Sequence, residues 1–505
     1  ADGYYMTTST FSYFPGLPVF YSPDLLRWEQ IGNAMDRNEQ LPLMGQGVSR
    51  GLFAPAITYH KGRYYIVCTL VDGGGNFVIT ASHPRGPWSQ PVYLPQVNGI
   101  DPSLFFDDND SAYIVFNSIP PDNKTLWNGH RTIRMFSLDA ATLQVQGPEH
   151  LLINGGTDTA KHPVWIEAPH IYKVNGYYYL MCAEGGTAEQ HSEVIFRSKQ
   201  VRGPWEVYSG NPILTQRQLP ARRPNPITTA GHADMVVGPD GQWYAVFLAC
   251  RPYSGDHYNI GRETFMLPVT WRNGWPHILE GDAVVPMQVG STAANVAQPF
   301  GPLPAYTDSF NTDRLSPRWM MLRNMQQPWY QTGRGLRMQV RTHALGGRGN
   351  PSYLGFRLPG HRSTSTLQIS AASLPPGAMA GLAVFQSEQH HFLCGLTTVA
   401  GQPVVQLWQS TADSLQYQPL ATASLPAGSS QVQVRFVAND DQLSFEYSPD
   451  GRTWQTLKAG IDARFLSTKT AKGFVGSTLG PFAWAPQAAG SGSEVSFRWF
   501  STTAR

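Results

Sequence analysis

The sequence predicts an all-β protein with two parts: a five-bladed β-propeller over residues 1–300, and a β-sandwich over residues 306–505. Three observations favour this fold class. Glycine and proline are frequent, with 49 and 40 residues, and so many of them leave little room for long helices. Short runs that alternate aromatic and β-branched residues recur after turn residues, as strands do. In the first 300 residues these runs return at intervals of roughly 50 to 65 residues, the period of a propeller blade.

Two markers define the repeats of the first part. The first is a tyrosine that follows a turn and opens an apolar strand, as in DGYYMTTST and NGYYYLMCA: Tyr5, Tyr65, Tyr113, Tyr179 and Tyr244. The second is a serine further along each repeat: Ser22, Ser82, Ser137 and Ser198. Because both markers keep the same spacing, we interpret the region as repeated units of several strands each. Five tyrosines predict five four-stranded blades.

The positions twelve residues before these tyrosines differ in chemistry: they are Phe53, Asp101, Glu167 and His232. Each begins a short apolar strand, which we expect to be the innermost strand of its blade. Equivalent positions then form a ring around the propeller axis. Asp-Pro and Glu-Ala-Pro could instead be turn formers at the start of a strand. A purely structural repeat, however, would keep these positions alike.

The fifth ring position is twelve residues before Tyr5 and therefore precedes Ala1. We expect the start of blade one to be missing from this sequence, and the natural gene to encode an aspartate at that position. Asp2 does not replace it, because Asp2 occupies the turn before the tyrosine strand.

Two carboxyl groups on one axis suggest hydrolysis of a glycosidic bond, which needs an acid and a base or nucleophile. Glu167 is flanked by apolar residues, among them Trp165, Ile166 and Pro169. Apolar surroundings raise the pKa of a carboxyl group, as a general acid at neutral pH requires. The charge of Asp101 would raise the pKa of Glu167 further.

The chain changes character after an Ala/Pro/Gly-rich stretch at 291–305, which we interpret as a linker. Beyond it, alternating segments such as STSTLQISA, GLAVFQS and QVQVRFVA predict a sandwich. The segment 473–486 is too apolar for a free loop. We expect it to send an aromatic side chain toward the mouth of the propeller.

The composition also excludes several classes of partner. The formal net charge is +2 with no basic run, so we expect no nucleic-acid partner. No uninterrupted apolar stretch is long enough for a membrane helix, so we expect no membrane partner. The four cysteines are far apart and lie mostly in apolar strands, which favours buried hydrophobic residues over metal ligands. The compartment and the oligomeric state, including a homo-oligomer, stay open.

Six motifs in order along the chain resemble glycoside hydrolase family 43, in its two-domain β-xylosidase/α-L-arabinofuranosidase branch. They are STFSYFPGLPVFYSPDLLRWEQIG, SRGLFAPAITYHKGRYYIV, NGIDPSLFFDD, WIEAPHIYK, GHADMVV and IGRETFMLPVTWRNGWP. The later segment YTDSFNTDRLSPRWMMLRN resembles the start of that branch's concanavalin-like sandwich. The resemblance implies an inverting exo-glycosidase that releases terminal xylose from β-1,4-xylo-oligosaccharides or arabinofuranose from side chains of xylan or arabinan.

The resemblance also implies roles for single residues. Glu167 would be the general acid, Asp101 would tune its pKa and orientation, and the base would be an aspartate upstream of Ala1. Further candidates would contact the substrate or line its pocket: Arg262, His232, Phe53 and Phe11. No cofactor is expected to be required. A structural calcium is left open, with His232 near an ion on the axis. The alternative from a different class is a carbohydrate-binding propeller that has lost catalysis.

Overall fold

The computed structural model describes residues 3–220, 222–279, 281–289, 305–370, 374–375, 377–413, 415–426, 429–487 and 493–505. Strands dominate this part of the chain. Its helical segments are four 3-10 turns and one short α-helix: Asn38–Gln40, Pro121–Asn123, Thr159–Lys161, Ala463–Leu466 and Thr468–Ala471. None of the helices in these ranges is both long and apolar enough to cross a membrane. The linker predicted at 291–305 lies, except for its last residue, outside the described residues.

The first part is a β-propeller of five sheets in chain order. The first sheet has the strands Tyr4–Thr7, Gly16–Ser22 and Glu29–Met35. The second has Gly51–Leu52, Ala56–His60, Arg63–Val71, Gly75–Ala81 and Val92–Tyr93. The third has Ile100–Phe106, Ala112–Ser118, Thr132–Asp139 and Gln144–Asn154. The fourth has Glu167–Val174, Tyr177–Glu184, Ser192–Ser198, Glu206–Val207 and Leu214–Thr215. The fifth has Thr228–Val237, Trp243–Cys250, Glu263–Arg272 and Trp275–His277.

Four of the marker tyrosines, Tyr65, Tyr113, Tyr179 and Tyr244, lie on the strand that follows the inner strand of their sheet, as the repeat spacing predicts. Tyr5 lies on the first described strand of its sheet. The first sheet has three strands among the described residues, one fewer than the four expected of each blade. The second and fourth sheets have an additional short strand each. In the second sheet the inner strand is interrupted between Leu52 and Ala56, and Phe53 lies in that gap.

The inner strands of the third, fourth and fifth sheets share an irregularity at the ring. Their register shifts between Ile100 and Ser103, between Glu167 and His170, and between Gly231 and Asp234. Within these shifts, Asp101, Ala168 and His232 have positive φ angles of 53°, 52° and 56°. β-Bulges re-aim side chains, and strained non-glycine backbone is typical of functional sites. The bulges therefore turn the ring residues away from the regular alternation of the strand.

The second part is a sandwich of two antiparallel sheets. One contains the strands Tyr306–Asp308, Tyr330–Gln331, Leu336–Gln339, Arg362–Ser370, Gln431–Asn439, Gln442–Ser448, Gln455–Asp462 and Glu494–Ala504. The other contains Phe356–Arg357, Met379–Ser387, His390–Val399, Gln402–Ser410, Tyr417–Ser424 and Thr478–Trp484. The alternating segments beyond residue 306 thus form strands, as predicted. All four cysteines are buried and free, as their apolar context indicates.

The propeller and the sandwich share a buried interface. Strand Tyr13–Phe14 of the propeller pairs with Met321–Leu322 of the sandwich. Arg323, with 0% of its surface exposed, pairs with Glu388 at 2.5 Å between Nη2 and Oε1. The Arg323 side chain also donates to the carbonyl of Gln46 at 2.7 Å, and Glu388 accepts from the backbone N–H of Val48. One hydrophobic cluster, moreover, contains residues of the first two blades and of both sandwich sheets.

Candidate active site

The four ring residues line a single cavity of about 1190 Å³. Asp101 lies on the inner strand of the third blade, Glu167 begins that of the fourth, and His232 lies on that of the fifth. Ligand atoms of these three side chains are within 4.8 Å of one another. Phe53 and Phe11 line the same cavity, as does Arg262. The structure therefore brings all six sequence candidates together.

Two carboxyl groups at the bottom of the site are almost completely buried. Asp101 and Glu167 are each 7% exposed. Burial raises the pKa of Glu167, and the nearby charge of Asp101 raises it further. Arg262 and Arg131 oppose this rise through their positive charge. The net effect is a glutamate that retains its proton at neutral pH.

Asp101 has a different set of neighbours. Burial also raises the pKa of Asp101, but a hydrogen bond from the backbone N–H of Ala168, the charge of Arg262 and the side chain of Asn117 all favour its ionised form. For Glu167, burial and the charge of Asp101 favour the protonated form, and only the charges of Arg262 and Arg131 oppose them. The proton that the pair shares is therefore expected on Glu167.

Arg262 is the cation whose charge acts on both carboxyl groups of this pair. Its guanidinium donates to Thr187 Oγ1 at 3.1 Å. Its Cζ lies 5.8 Å from the ring centre of Phe11 and 5.4 Å from that of Phe474. Burial lowers its pKa, but a guanidinium stays protonated in proteins. Arg262 can therefore donate hydrogen bonds to a ligand between the carboxyl groups and the aromatic wall.

Three phenylalanines form that aromatic wall. The ring centres of Phe11 and Phe53 are 5.6 Å apart, those of Phe53 and Phe474 are 5.7 Å apart, and those of Phe11 and Phe474 are 6.1 Å apart. Phe474 comes from the sandwich, in the segment expected to reach the propeller. Its backbone N–H donates to Ser49 Oγ at 3.0 Å, which fixes it against the second blade.

His232 is held in a neutral state. Burial lowers the pKa of His232 well below its ordinary value, and the nearby charge of Arg262 lowers it further. Its neighbour Ala233 donates its backbone N–H to Glu193 Oε2 at 3.0 Å. A neutral imidazole offers one donor and one acceptor nitrogen, which suits a hydroxyl group.

Family comparison agrees with this geometry. Residues 1–276, more than half of the chain, match the sequence model of the glycosyl hydrolases family 43. The chain belongs to glycosyl hydrolase family 43. It is therefore a glycoside hydrolase, and its substrate is a carbohydrate. Residues 307–503 match the β-xylosidase C-terminal concanavalin A-like domain, the second part of the fold.

Relatives cover nearly the whole chain. A xylosidase/arabinosidase of Butyrivibrio fibrisolvens is 35% identical over 95% of this chain and 92% of its own. A non-reducing end α-L-arabinofuranosidase of Bacteroides ovatus is 32% identical over 99% of this chain and 90% of its own. The crystal structure of a xylan β-1,4-xylosidase from Bacillus halodurans superposes with a TM-score of 0.87 at 27% identity, over 100% of this chain and 96% of that one.

Sequence reasoning missed several residues of this glycoside hydrolase site. Phe474 was expected only as an unspecified aromatic within 473–486. Thr187, which accepts a hydrogen bond from Arg262, follows Gly185 and Gly186. Two glycines indicate a turn and do not by themselves indicate a ligand site. Arg131 has no motif that marks it, and its proximity to Glu167 depends on the packing of two blades.

Asp101, Glu167 and His232 are also the one group in the described ranges whose atoms could together hold a metal ion. The buried guanidinium of Arg262 already supplies positive charge beside both carboxyl groups, which makes the group a poor fit for a cation.

Proposed function

We propose that the protein is an inverting exo-glycosidase that releases a terminal xylose from β-1,4-xylo-oligosaccharides, an arabinofuranose from xylan or arabinan side chains, or both. The observation that supports this proposal most is the buried Glu167–Asp101 pair beneath an aromatic wall. The names of the relatives from Butyrivibrio and Bacteroides point to the same two sugars.

Glu167 is the general acid in this proposal. A glycosidic oxygen leaves as an alcohol only after it has received a proton, and Glu167 holds one at neutral pH. Asp101 keeps the proton on Glu167 through its negative charge. When Glu167 loses the proton in the reaction, Arg262 and Arg131 stabilise the carboxylate that forms.

Asp101 is too close to Glu167 to activate water across a sugar. Acid and base of inverting enzymes are roughly 6.5–9.5 Å apart, which leaves room for the water, whereas ligand atoms of Asp101 and Glu167 approach within 4.8 Å. We therefore keep Asp101 in a tuning role. The base is proposed to be the aspartate expected at the ring position of the first blade, upstream of Ala1.

The remaining residues fit one sugar ring. Arg262 and neutral His232 bind its hydroxyl groups, while Phe11, Phe53 and Phe474 cover its apolar surface. Because Phe474 belongs to the sandwich, the second part of the protein closes the pocket on one side. A pocket closed behind a single sugar favours removal of terminal residues over cleavage within a chain.

The test is hydrolysis by the natural full-length protein of 4-nitrophenyl β-D-xylopyranoside, 4-nitrophenyl α-L-arabinofuranoside and xylohexaose. We expect turnover of at least one glycoside, and xylose together with xylopentaose as the first products from xylohexaose. A protein that binds these sugars and hydrolyses none of them would be the carbohydrate-binding alternative. Early release of xylobiose from longer oligosaccharides would contradict exo action.

A further inference from the structure

A tryptophan and an arginine are stacked beside the acid. The Cζ atom of Arg131 lies 3.9 Å from the ring centre of Trp165. Trp165 precedes Glu167 by two residues and lines the same cavity. Arg131 covers one face of the indole, which leaves the ring partly exposed and in contact with the cavity.

The backbone around Trp165 is fixed on both sides. The N–H of Trp165 donates to the carbonyl of Gly129 at 2.8 Å, and the carbonyl of Val164 accepts from the N–H of Gly185 at 2.7 Å. A Cβ atom added at Gly129 would lie 2.8 Å from a methyl carbon of Val164 and 3.3 Å from Trp165 Cδ1. Only a glycine fits so tight a contact, so the loop has little freedom.

Two further observations indicate that this placement is not ordinary packing. Trp165 adopts a φ of 53°, a left-handed conformation that is unfavourable for a bulky side chain. Arg131 Nε is buried and has no hydrogen-bond partner among the described residues. Stacking on the indole is therefore a principal restraint on the position of this guanidinium.

The position of the Trp165 indole relative to Glu167 determines which part of the substrate the indole can contact. In the proposed function, the terminal sugar occupies the −1 subsite formed by Phe11, Phe53 and Arg262, and Glu167 protonates the oxygen that joins this sugar to the next one. A flat aromatic ring packs well against the apolar C–H face of a sugar. Trp165 lines the cavity that contains Glu167, and its stacking partner Arg131 is near enough to Glu167 to lower the pKa of that carboxyl group. The indole is therefore beside the acid, on the side from which the leaving sugar would depart.

We propose that Trp165 is the platform for the leaving-group sugar, the +1 residue of an oligosaccharide, and that Arg131 is a positioning residue that holds the indole in place. This inference rests on the proposed function and adds the residue that recognises the part of the substrate released as an alcohol. It predicts that Trp165 matters for substrates with a sugar leaving group and not for those without one.

The test compares kcat/KM on a disaccharide with kcat/KM on the glycosyl fluoride of the same terminal sugar, whose leaving group occupies no sugar subsite. Trp165→Ala should lower the disaccharide value about 10- to 100-fold and change the fluoride value by less than about threefold. Trp165→Leu, which keeps more of the apolar volume, should show the same difference if the alanine variant folds poorly. Arg131→Met should raise KM for the disaccharide more than it lowers kcat, and Arg131→Lys should restore part of the loss.

The chain offers a matched control. Arg435 stacks on Trp454 in the sandwich, with Cζ 3.4 Å from the ring centre, outside the cavity that Trp165 lines. Trp454→Ala should leave both kcat/KM values unchanged. Equal losses on the disaccharide and the fluoride for Trp165→Ala would overturn the proposal, because a residue that binds only the leaving sugar does not act on a substrate without one. A shift of the alkaline limb of the pH–rate profile in Trp165→Ala would also overturn it, because the loss would then act through Glu167. An unchanged disaccharide value would overturn it as well. Failure of the wild type on both substrates would instead refute the proposed function.

Discussion

Glu167 and Asp101 lie on the inner strands of adjacent blades with ligand atoms within 4.8 Å, and neither has more than 7% of its surface exposed. Two carboxyl groups this close in a buried site cannot both ionise without a large cost. One of them keeps a proton, and the hydrogen bonds of Asp101 favour Glu167 as its holder. The pair therefore provides an acid at neutral pH.

Replacing the acid should affect substrates according to their leaving group. Glu167→Gln should lower kcat on xylo-oligosaccharides by roughly two to four orders of magnitude, the usual contribution of a general acid. Nitrophenolate leaves without a proton, so the loss on nitrophenyl glycosides should be smaller. Steady-state kinetics on both substrates measures this difference.

Glu206→Gln is the matched control. Glu206 is exposed and paired with Arg197 on an outer strand of the fourth blade. Glu206→Gln should leave kcat unchanged on both xylo-oligosaccharides and nitrophenyl glycosides. Equal losses on both substrates for Glu167→Gln would argue against Glu167 as the acid.

The alkaline limb of the pH–rate profile should respond to the charges around Glu167. Activity needs the protonated acid and is lost as the pH rises through its pKa. Arg131 lowers the pKa of Glu167, so Arg131→Met should move the limb to higher pH. Asp101 raises that pKa, so Asp101→Asn should move the limb to lower pH, in addition to lowering the rate. Shifts in one common direction would contradict the role of one of the two charges, and no shift in either variant would contradict both.

The sandwich should contribute to substrate binding through the aromatic ring of Phe474. Phe474→Ala removes the part of the aromatic wall that comes from the second domain, and it should raise KM for short substrates about tenfold or more. Its backbone bond to Ser49 does not depend on the side chain, so the melting temperature should change little. Phe465, on the sandwich and outside this cavity, gives the control variant Phe465→Ala. An unchanged KM for Phe474→Ala would exclude the sandwich from the pocket.

The buried ion pair at the interface should matter for stability. Arg323→Met leaves the buried Glu388 with only the longer ion pair to Arg348, at 4.0 Å between Nε and Oε1, and should lower the free energy of unfolding by about 3–5 kcal/mol. The double variant Arg323→Met/Glu388→Met should recover part of this loss, since no charge stays unpaired. Denaturant unfolding measures both, with the exposed pair Arg464–Asp462 as control. A single variant as stable as the wild type would show that solvent reaches the pair.

The sequence predicted the ring because strand register in a propeller repeats with the blade. Counting twelve residues back from Tyr113 and Tyr179 locates Asp101 and Glu167, because in both blades a short turn joins the inner strand to the antiparallel strand that carries the tyrosine. The raised pKa of Glu167 was predicted from the apolar residues beside it and from the charge of Asp101. Neither inference needed contacts between distant parts of the chain.

The features of the site and of the domain interface that the sequence did not predict are contacts between residues that are far apart in the chain. Phe474 reaches Phe11 across more than 450 residues of sequence, and no local pattern specifies which aromatic of its segment does so. Arg131 and Trp165 meet because two loops of neighbouring blades pack together. The buried Arg323 appears in the sequence as an ordinary charged residue, because its partners come from both parts of the protein.

The most direct test of the central claim is the anomeric configuration of the first sugar released, followed by proton NMR during hydrolysis by the natural full-length protein. With Glu167 as acid and a base on the opposite face of the sugar, the first product should have the inverted configuration. A retained configuration would contradict the account. It would require a covalent intermediate on a carboxylate as close to Glu167 as Asp101 is, and Asp101 would then be the nucleophile.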